Sequence, residues 1–192
     1  MFDLTDFIFS PSASAKEVLE NESNRLWPLF LVLVFLIPLA HSFTAALASR
    51  QAIASFGISL LAGYWAKVLL FGLANLLTSG MVFFIASLIT TEKGPSPAAF
   101  MVLFLASWFP MAFMPAWMLV LGQAGMAGQV LSGLAWLATF AWVFLLQVAV
   151  IRAAFGASRI KSALIYAATA AAVFIFDGLL FYVAVLTVAS AV

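Results

Sequence analysis

The most informative segment of this chain is Lys67–Leu88, which reads KVLLFGLANLLTSGMVFFIASL. It carries no charged side chain after its first residue. A helix rises about 1.5 Å per residue and the hydrocarbon core of a bilayer is about 30 Å thick, so about 20 apolar residues can cross it. Because lipid offers the backbone no hydrogen-bond partners, such a segment must be helical. The segment therefore predicts a membrane-spanning helix.

The composition of the whole chain also indicates a membrane protein. Of its 192 residues, 66% are hydrophobic and 8% are charged, whereas a soluble domain is about 25% charged. So few ionic side chains could not cover the exterior of a soluble globule. The apolar content excludes a disordered chain, and a net charge of +1 argues against a nucleic-acid partner.

Side chains that carry catalysis or bind metals are scarce. The chain has no cysteine and a single histidine, which excludes thiolate sites and most histidine-based metal sites and catalytic triads. It contains no metalloprotease motif, no nucleophile elbow and no phosphate-binding loop. We therefore expect a protein that is not an enzyme, with no catalytic residues, no metal and no cofactor.

Four further segments are as apolar as the first. Continuous apolarity, without the alternation of a barrel wall, predicts an all-α bundle of transmembrane helices. The five predicted spans are Trp27–Ala48, Lys67–Leu88, Ala98–Leu121, Gly128–Ile151 and Ser162 to about Leu186.

Two short regions fall outside these spans, and each leaves alternatives open. In residues 1–26, Ser14 and Glu17 have the spacing of a capping box, which predicts a short amphipathic helix. That helix either lies among lipid headgroups or packs on the protein's own cytoplasmic face. Residues 51–63 are predicted to form an interfacial helix, with a sixth, short span as the alternative. The chain thus divides into a cytoplasmic segment, 1–26, and a transmembrane domain, 27–192.

The basic side chains predict the orientation. Five spans place six basic residues on the amino-terminal side and two, Arg50 and Lys67, on the other. Because basic residues stay in the cytoplasm, the amino terminus is expected inside and the carboxyl terminus outside. The six are Lys16, Arg25, Lys93, Arg152, Arg159 and Lys161.

Asp177 is the one acid inside a predicted span. Counted outward from the start of the fifth span, it lies roughly 25 Å along, near the outer boundary of the hydrocarbon core. Lys67 opens the second span from the same side, and His41 falls in the outer half of the first. We expect an intramembrane polar cluster of these residues, with Asn75 nearer mid-membrane. It serves either as a structural ion pair or as a site for a proton, an ion or a headgroup.

Two further patterns concern helix shape and packing. Pro110 and Pro115 fall within the third span, and each removes a backbone donor, which predicts a helix kink. In the fifth span Ala163, Ala167 and Ala171 recur every four residues. Such a small-residue face lets another helix approach closely, within the bundle or between protomers.

Three passages together resemble the Yip1 domain family, as a small bacterial member. They are Phe9-Ser-Pro11 followed by Leu26-Trp-Pro-Leu29, Ser96–Phe100 leading to Ala106–Pro110, and the basic connection Phe155–Ala163. The resemblance implies a five-helix bundle with a cytoplasmic amino terminus. Eukaryotic relatives act in vesicle traffic and associate with small GTPases. A GTPase partner is not expected here, because this sequence shows no long polar amino-terminal region.

These patterns predict a non-enzymatic protein of a bacterial inner membrane. It would act as a partner, scaffold or assembly factor for another membrane protein or for itself, in contact with membrane lipids. The alternative is a small transporter or channel whose polar pathway runs near Asp177 and Lys67. A transporter requires a hydrated cavity that reaches the polar residues, whereas a scaffold buries them dry.

Overall fold

A computed structural model describes residues 4–20, 26–48, 58–90, 94–122 and 125–190. Side chains at 4–5, 43–48, 58–62, 119, 122, 174 and 176–190 lie outside the description. All regular structure within these ranges is helical. The helices are α1 (Leu4–Phe9), α2 (Pro11–Glu20), α3 (Trp27–Ala48), α4 (Ile58–Ile89), α5 (Pro97–Ala106), a 3-10 segment (Phe109–Phe113), α6 (Met114–Gly122), α7 (Gly125–Phe155) and α8 (Arg159–Ser190).

Three helical segments are long and apolar enough to cross a membrane. They are Gly63–Ile89, Pro97–Met118 and Gly125–Phe155, and Trp27–Ser42 is a shorter apolar helix among the described residues. The prediction of an all-helical chain with apolar helices of membrane-spanning length is confirmed for the described residues, while the count of five spans stays a prediction. Residues 58–63 belong to α4 itself, without a separate interfacial helix there; residues 51–57 lie outside the description.

The segment Pro97–Met118 is the centre of the bundle. In its most apolar stretch of 18 residues, 67% is buried inside the protein. The corresponding share is 28% in Gly63–Ile89 and 39% in Gly125–Phe155. α5 contacts α3, α4 and α7, and α6 contacts α3 and α7. The other two spans therefore turn one side to this centre and leave the rest for lipid.

An aromatic cluster holds one end of the bundle together. Phe100 on α5 lies 5.5 Å from Phe83 of α4 and 5.7 Å from Phe155 of α7, between ring centroids. Phe104, one turn along α5, stacks on Phe100. Edge-to-face and offset contacts of this kind are favourable beyond their buried area. The cluster fixes the ends of α4 and α7 to the start of α5.

A tight turn joins α7 and α8 at the same end. Gly156, directly after α7, has a φ of 59°, which favours glycine at this C′ position. Across the turn, the Lys161 ammonium donates a hydrogen bond to the carbonyl oxygen of Ile89 at 3.3 Å. A cation beside the last carbonyls of a helix is favourable, so α8 caps the end of α4.

The amino-terminal helices pack on the bundle. α2 contacts α7 and α5, and Phe7, Ala15 and Leu19 are buried in the same hydrophobic core as the spans. The helices therefore pack on the protein itself, while the cytoplasmic location of this segment stays a prediction. α2 starts at Pro11, three residues before the expected cap at Ser14, because proline is favourable in the first turn of a helix.

Candidate functional site

His41 and Lys67 face the same cavity, as their predicted depths indicate. The cavity has a volume of about 400 Å³ and lies between α3, α4 and the 3-10 segment. Two contacts bring the helices together beside it: the Tyr64 hydroxyl donates to the carbonyl oxygen of Phe35 at 3.1 Å, and the rings of Phe35 and Trp65 meet edge to face. Lys67, one turn after Tyr64, therefore reaches the side of α3 that carries His41.

We call this the outer cavity, because the predicted orientation places it toward the outer side of the membrane. Its remaining walls are apolar. They are formed by Ile37, Pro38, Leu70, Phe71, Trp108 and Met111, among others. Among the described residues no carboxylate lies within ion-pair distance of Lys67. The cavity can therefore hold an apolar group beside one cation and one imidazole, an arrangement suited to an amphipathic molecule.

The other two predicted members of the polar cluster are Asp177 and Asn75. Asp177 lies on α8, and its side chain falls outside the description. Asn75 is buried on α4, and its amide nitrogen donates to the carbonyl oxygen of Phe71 at 2.9 Å. Its carbonyl oxygen Oδ1 has no hydrogen-bond partner among the described atoms. Within the described residues, the structure thus brings His41 and Lys67 to one cavity and buries Asn75 away from it.

The two prolines of the third span occupy different positions. Pro110 lies in the 3-10 segment, where the amide nitrogen of Met111 donates to the carbonyl oxygen of Trp108 at 3.0 Å, three residues back. Because Pro110 has no N–H for the i−4 carbonyl, the α-helical pattern breaks here. Pro115 lies in the first turn of α6, where a missing donor costs little. The break carries Trp108 and Met111 into the wall of the outer cavity.

The alanine face of α8 points mostly away from the bundle. Ile165 and Thr169 are buried, whereas Ala167 and Ala171 are exposed and Ala163 is partly buried. Thr169 bonds to the carbonyl oxygen of its own helix at Ile165, at 2.9 Å. The small-residue face is therefore not used for packing between the described helices at Ala167 and Ala171.

Sequence reasoning missed a second cavity, beside the turn between α7 and α8. Arg152 and Arg159 line it, together with Pro11 and Ser12 from the start of α2. The sequence predicts that Arg152, Arg159 and Lys161 form a basic inner rim, which serves as an orientation signal or contacts anionic lipid, but it predicts no cavity there. Their spacing across a predicted turn could have indicated that they share a surface, but nothing in the sequence places α2 beside them.

The described residues contain no group of three or more histidine, cysteine, aspartate or glutamate side chains that could hold a metal ion. Comparisons of the chain with protein-family models, with curated proteins and with solved structures find no match.

Proposed function

We propose that this chain is a non-enzymatic integral membrane protein that acts by packing against another membrane protein or a second copy of itself. In this proposal it is a Yip1-type partner, scaffold or assembly factor of a bacterial inner membrane. Its amino terminus lies in the cytoplasm and its carboxyl terminus in the periplasm. The orientation rests on the excess of basic residues on the amino-terminal side.

The observation that carries this proposal is the exposed alanine face of α8. Ala167 and Ala171 lie on the side opposite the buried Ile165. In a bilayer, helix association depends on close packing, because lipid tails are as apolar as leucine. Small side chains permit that close approach, so this face is suited to a helix from outside the described bundle.

The hydrogen bonds of several buried polar side chains to nearby backbone carbonyls favour this function over transport. Ser79 and Thr139 each donate a hydrogen bond to a carbonyl oxygen of their own helix, and Thr90, directly after α4, donates to the carbonyl oxygen of Ala86. The amide nitrogen of Asn75 likewise donates to the carbonyl oxygen of Phe71 on the same helix, and the residue is 5% exposed. A transport pathway needs polar groups that face water or a substrate, and Asn75 lines neither of the two cavities described above.

The outer cavity supports the second candidate, a small transporter or channel. His41 and Lys67 both line it, and ionisable groups within membrane segments commonly mark substrate pathways. We rank this function second because Leu70, Phe71 and Met111 make the other walls apolar. If the protein acts by helix packing, the outer cavity is a recess in its surface with no role in transport.

Cross-linking from single cysteines tests the packing function. The chain has no cysteine, so Ala171→Cys provides a unique attachment point for benzophenone maleimide. After illumination in native membranes, we expect one discrete adduct, with either a second copy of the chain or one other membrane protein. Ala141→Cys on α7, also an exposed alanine, is the matched control and should label only lipid.

A blocking variant makes the test specific. Ala167→Leu adds bulk one turn from the probe and touches no buried side chain, because Ala167 is exposed. We expect it to reduce the adduct from Ala171→Cys at least fivefold and to leave the thermal stability of the purified protein unchanged. Equal adducts from Ala171→Cys and Ala141→Cys, or no effect of Ala167→Leu, would refute the proposed packing face.

A further inference from the structure

The second cavity forms a groove on the side of the α7–α8 hairpin. We call it the arginine groove; it has a volume of about 450 Å³. Arg152, one turn before the end of α7, and Arg159, the first residue of α8, line it from the two sides of the turn. The start of α2 closes it with Pro11 and Ser12. Elements distant in sequence thus build one concave surface.

Both arginines of the groove are exposed and available to a ligand. Among the described residues, neither forms an ion pair with a carboxylate. Lys161, the third basic residue of this end, differs because its ammonium donates to the carbonyl oxygen of Ile89. The positive charge of the groove is therefore carried by Arg152 and Arg159, with the Ser12 hydroxyl beside them.

The walls beyond the arginines are apolar. They are formed by Leu145 and Val148 of α7 and by Ile160 and Ala163 of α8. A small soluble anion would gain nothing from these walls, whereas an acyl chain would bury apolar surface against them. The groove is therefore complementary to a molecule with an anionic head and an apolar tail.

We propose that the arginine groove binds an anionic phospholipid. Its phosphate accepts hydrogen bonds from the guanidinium groups of Arg152 and Arg159, whose planar donor arrays match a phosphate. The first part of one acyl chain lies along Leu145, Val148 and Ile160. Basic pockets between membrane helices bind anionic headgroups on the cytoplasmic side, which is where the proposed orientation places this end.

Native mass spectrometry of the full chain in mild detergent tests this proposal. The probes are dioleoyl phosphatidylglycerol and dioleoyl phosphatidylcholine, which share acyl chains and differ in net charge. We expect phosphatidylglycerol to bind at least tenfold more tightly. Arg152→Gln and Arg159→Gln should each weaken its binding roughly fivefold, and the double variant roughly 20-fold, since each basic residue contributes independently near a membrane surface.

Two control variants separate a built site from general attraction. Lys161→Gln removes the same charge from the same end but leaves the groove intact, so we expect less than a twofold loss. Ala163→Phe fills the groove without a change of charge and should weaken phosphatidylglycerol binding at least fivefold. A thermal melt of each variant checks that it is folded.

Three outcomes would overturn the proposal. Equal losses from Lys161→Gln and Arg152→Gln would show attraction without a site. Equal affinity for the two lipids would show that charge has no role. Competition by glycerol 3-phosphate at the concentration of the lipid would identify a free phosphate ester as the ligand instead.

Discussion

Among the described residues, Gln147 is the buried side chain that has the most polar atoms without a hydrogen-bond partner. It is fully buried on α7, and neither atom of its amide has a hydrogen-bond partner among the described atoms. A glutamine within a span is expected to bond to a neighbouring helix, but among the described atoms the neighbours of Gln147 present no matching group. Thr169, by contrast, is equally buried and donates to the carbonyl oxygen of Ile165.

Replacement of Gln147 by leucine should therefore stabilise the protein. Gln147→Leu keeps a similar volume and removes two unsatisfied polar atoms, so we expect the free energy of unfolding to rise by about 1–2 kcal/mol. Reversible unfolding in mixed detergent micelles measures it. Thr169→Val is the matched control and should lose about 0.6 kcal/mol, because it removes a satisfied hydrogen bond. A loss of stability in Gln147→Leu would show that the amide has a partner.

At the scale of the elements, the spans are predictable from hydropathy and their buried sides are not. The predicted span Lys67–Leu88 lies within α4, and Gly128–Ile151 lies within α7. The buried Phe104 and the lipid-facing Leu77, which is 64% exposed, are equally apolar. Because lipid and protein interior are both apolar, hydropathy carries no information about which face of a membrane helix packs.

The close approach of α3 and α4 at Gly72 is a packing feature that hydropathy does not predict. A Cβ atom at Gly72 would lie 3.1 Å from a methyl group of Val34, which is buried and β-branched. The methyl group cannot easily swing away, because valine is stiff at χ1. Gly72 therefore sets the distance between the two helices beside the outer cavity.

Alanine at this position should loosen that packing. We expect Gly72→Ala to lower the free energy of unfolding by about 1 kcal/mol, since the cost of overpacking exceeds the gain in helix propensity. Gly133→Ala in α7 is the matched control: nothing lies within 4 Å of its added Cβ, so the gain in propensity, about 0.5–1 kcal/mol, should appear alone. The same unfolding assay compares them, and a gain of equal size in both would contradict the close contact.

For the molecule as a whole, the amino-terminal helices are part of the core. Phe7 is fully buried, while Phe9, two residues on, is 75% exposed and its ring centroid lies 6.4 Å from that of Trp142. The sequence predicts a separate amphipathic segment here, because its charges set it apart from the spans. Its burial depends on contacts with α7 and α5, which lie far along the chain and leave no local signal.

The two phenylalanines give a test of this packing. Phe7→Ala should lower the free energy of unfolding by about 3 kcal/mol or more, because it leaves a cavity in the core. Phe9→Ala removes only a partial ring contact and should lower it by less than about 1 kcal/mol. Thermal or detergent unfolding of the full chain distinguishes them. Equal, small losses would mean that α1 does not share the core.

The candidate sites were predictable to different degrees. That His41 and Lys67 line one cavity could be expected from their depths along two helices, which can be counted from the sequence; the shape of the cavity could be expected only in part. Its third wall depends on the break at Pro110, which the proline predicts. The arginine groove depends on where α2 packs, and that position is a property of the folded bundle.

The length of α7 has a consequence for the thickness of the surrounding membrane. Its 31 residues extend over about 46 Å, which exceeds the hydrocarbon core of about 30 Å. A tilt of about 20° shortens its projection by only about 3 Å. The two ends of α7 must therefore reach into the headgroup layers or stretch the lipids around them. Gln129 and Arg152 flank about 33 Å of largely apolar helix, a length that matches an ordinary bilayer with a modest tilt, so the residues beyond them are expected to lie in the headgroup layers.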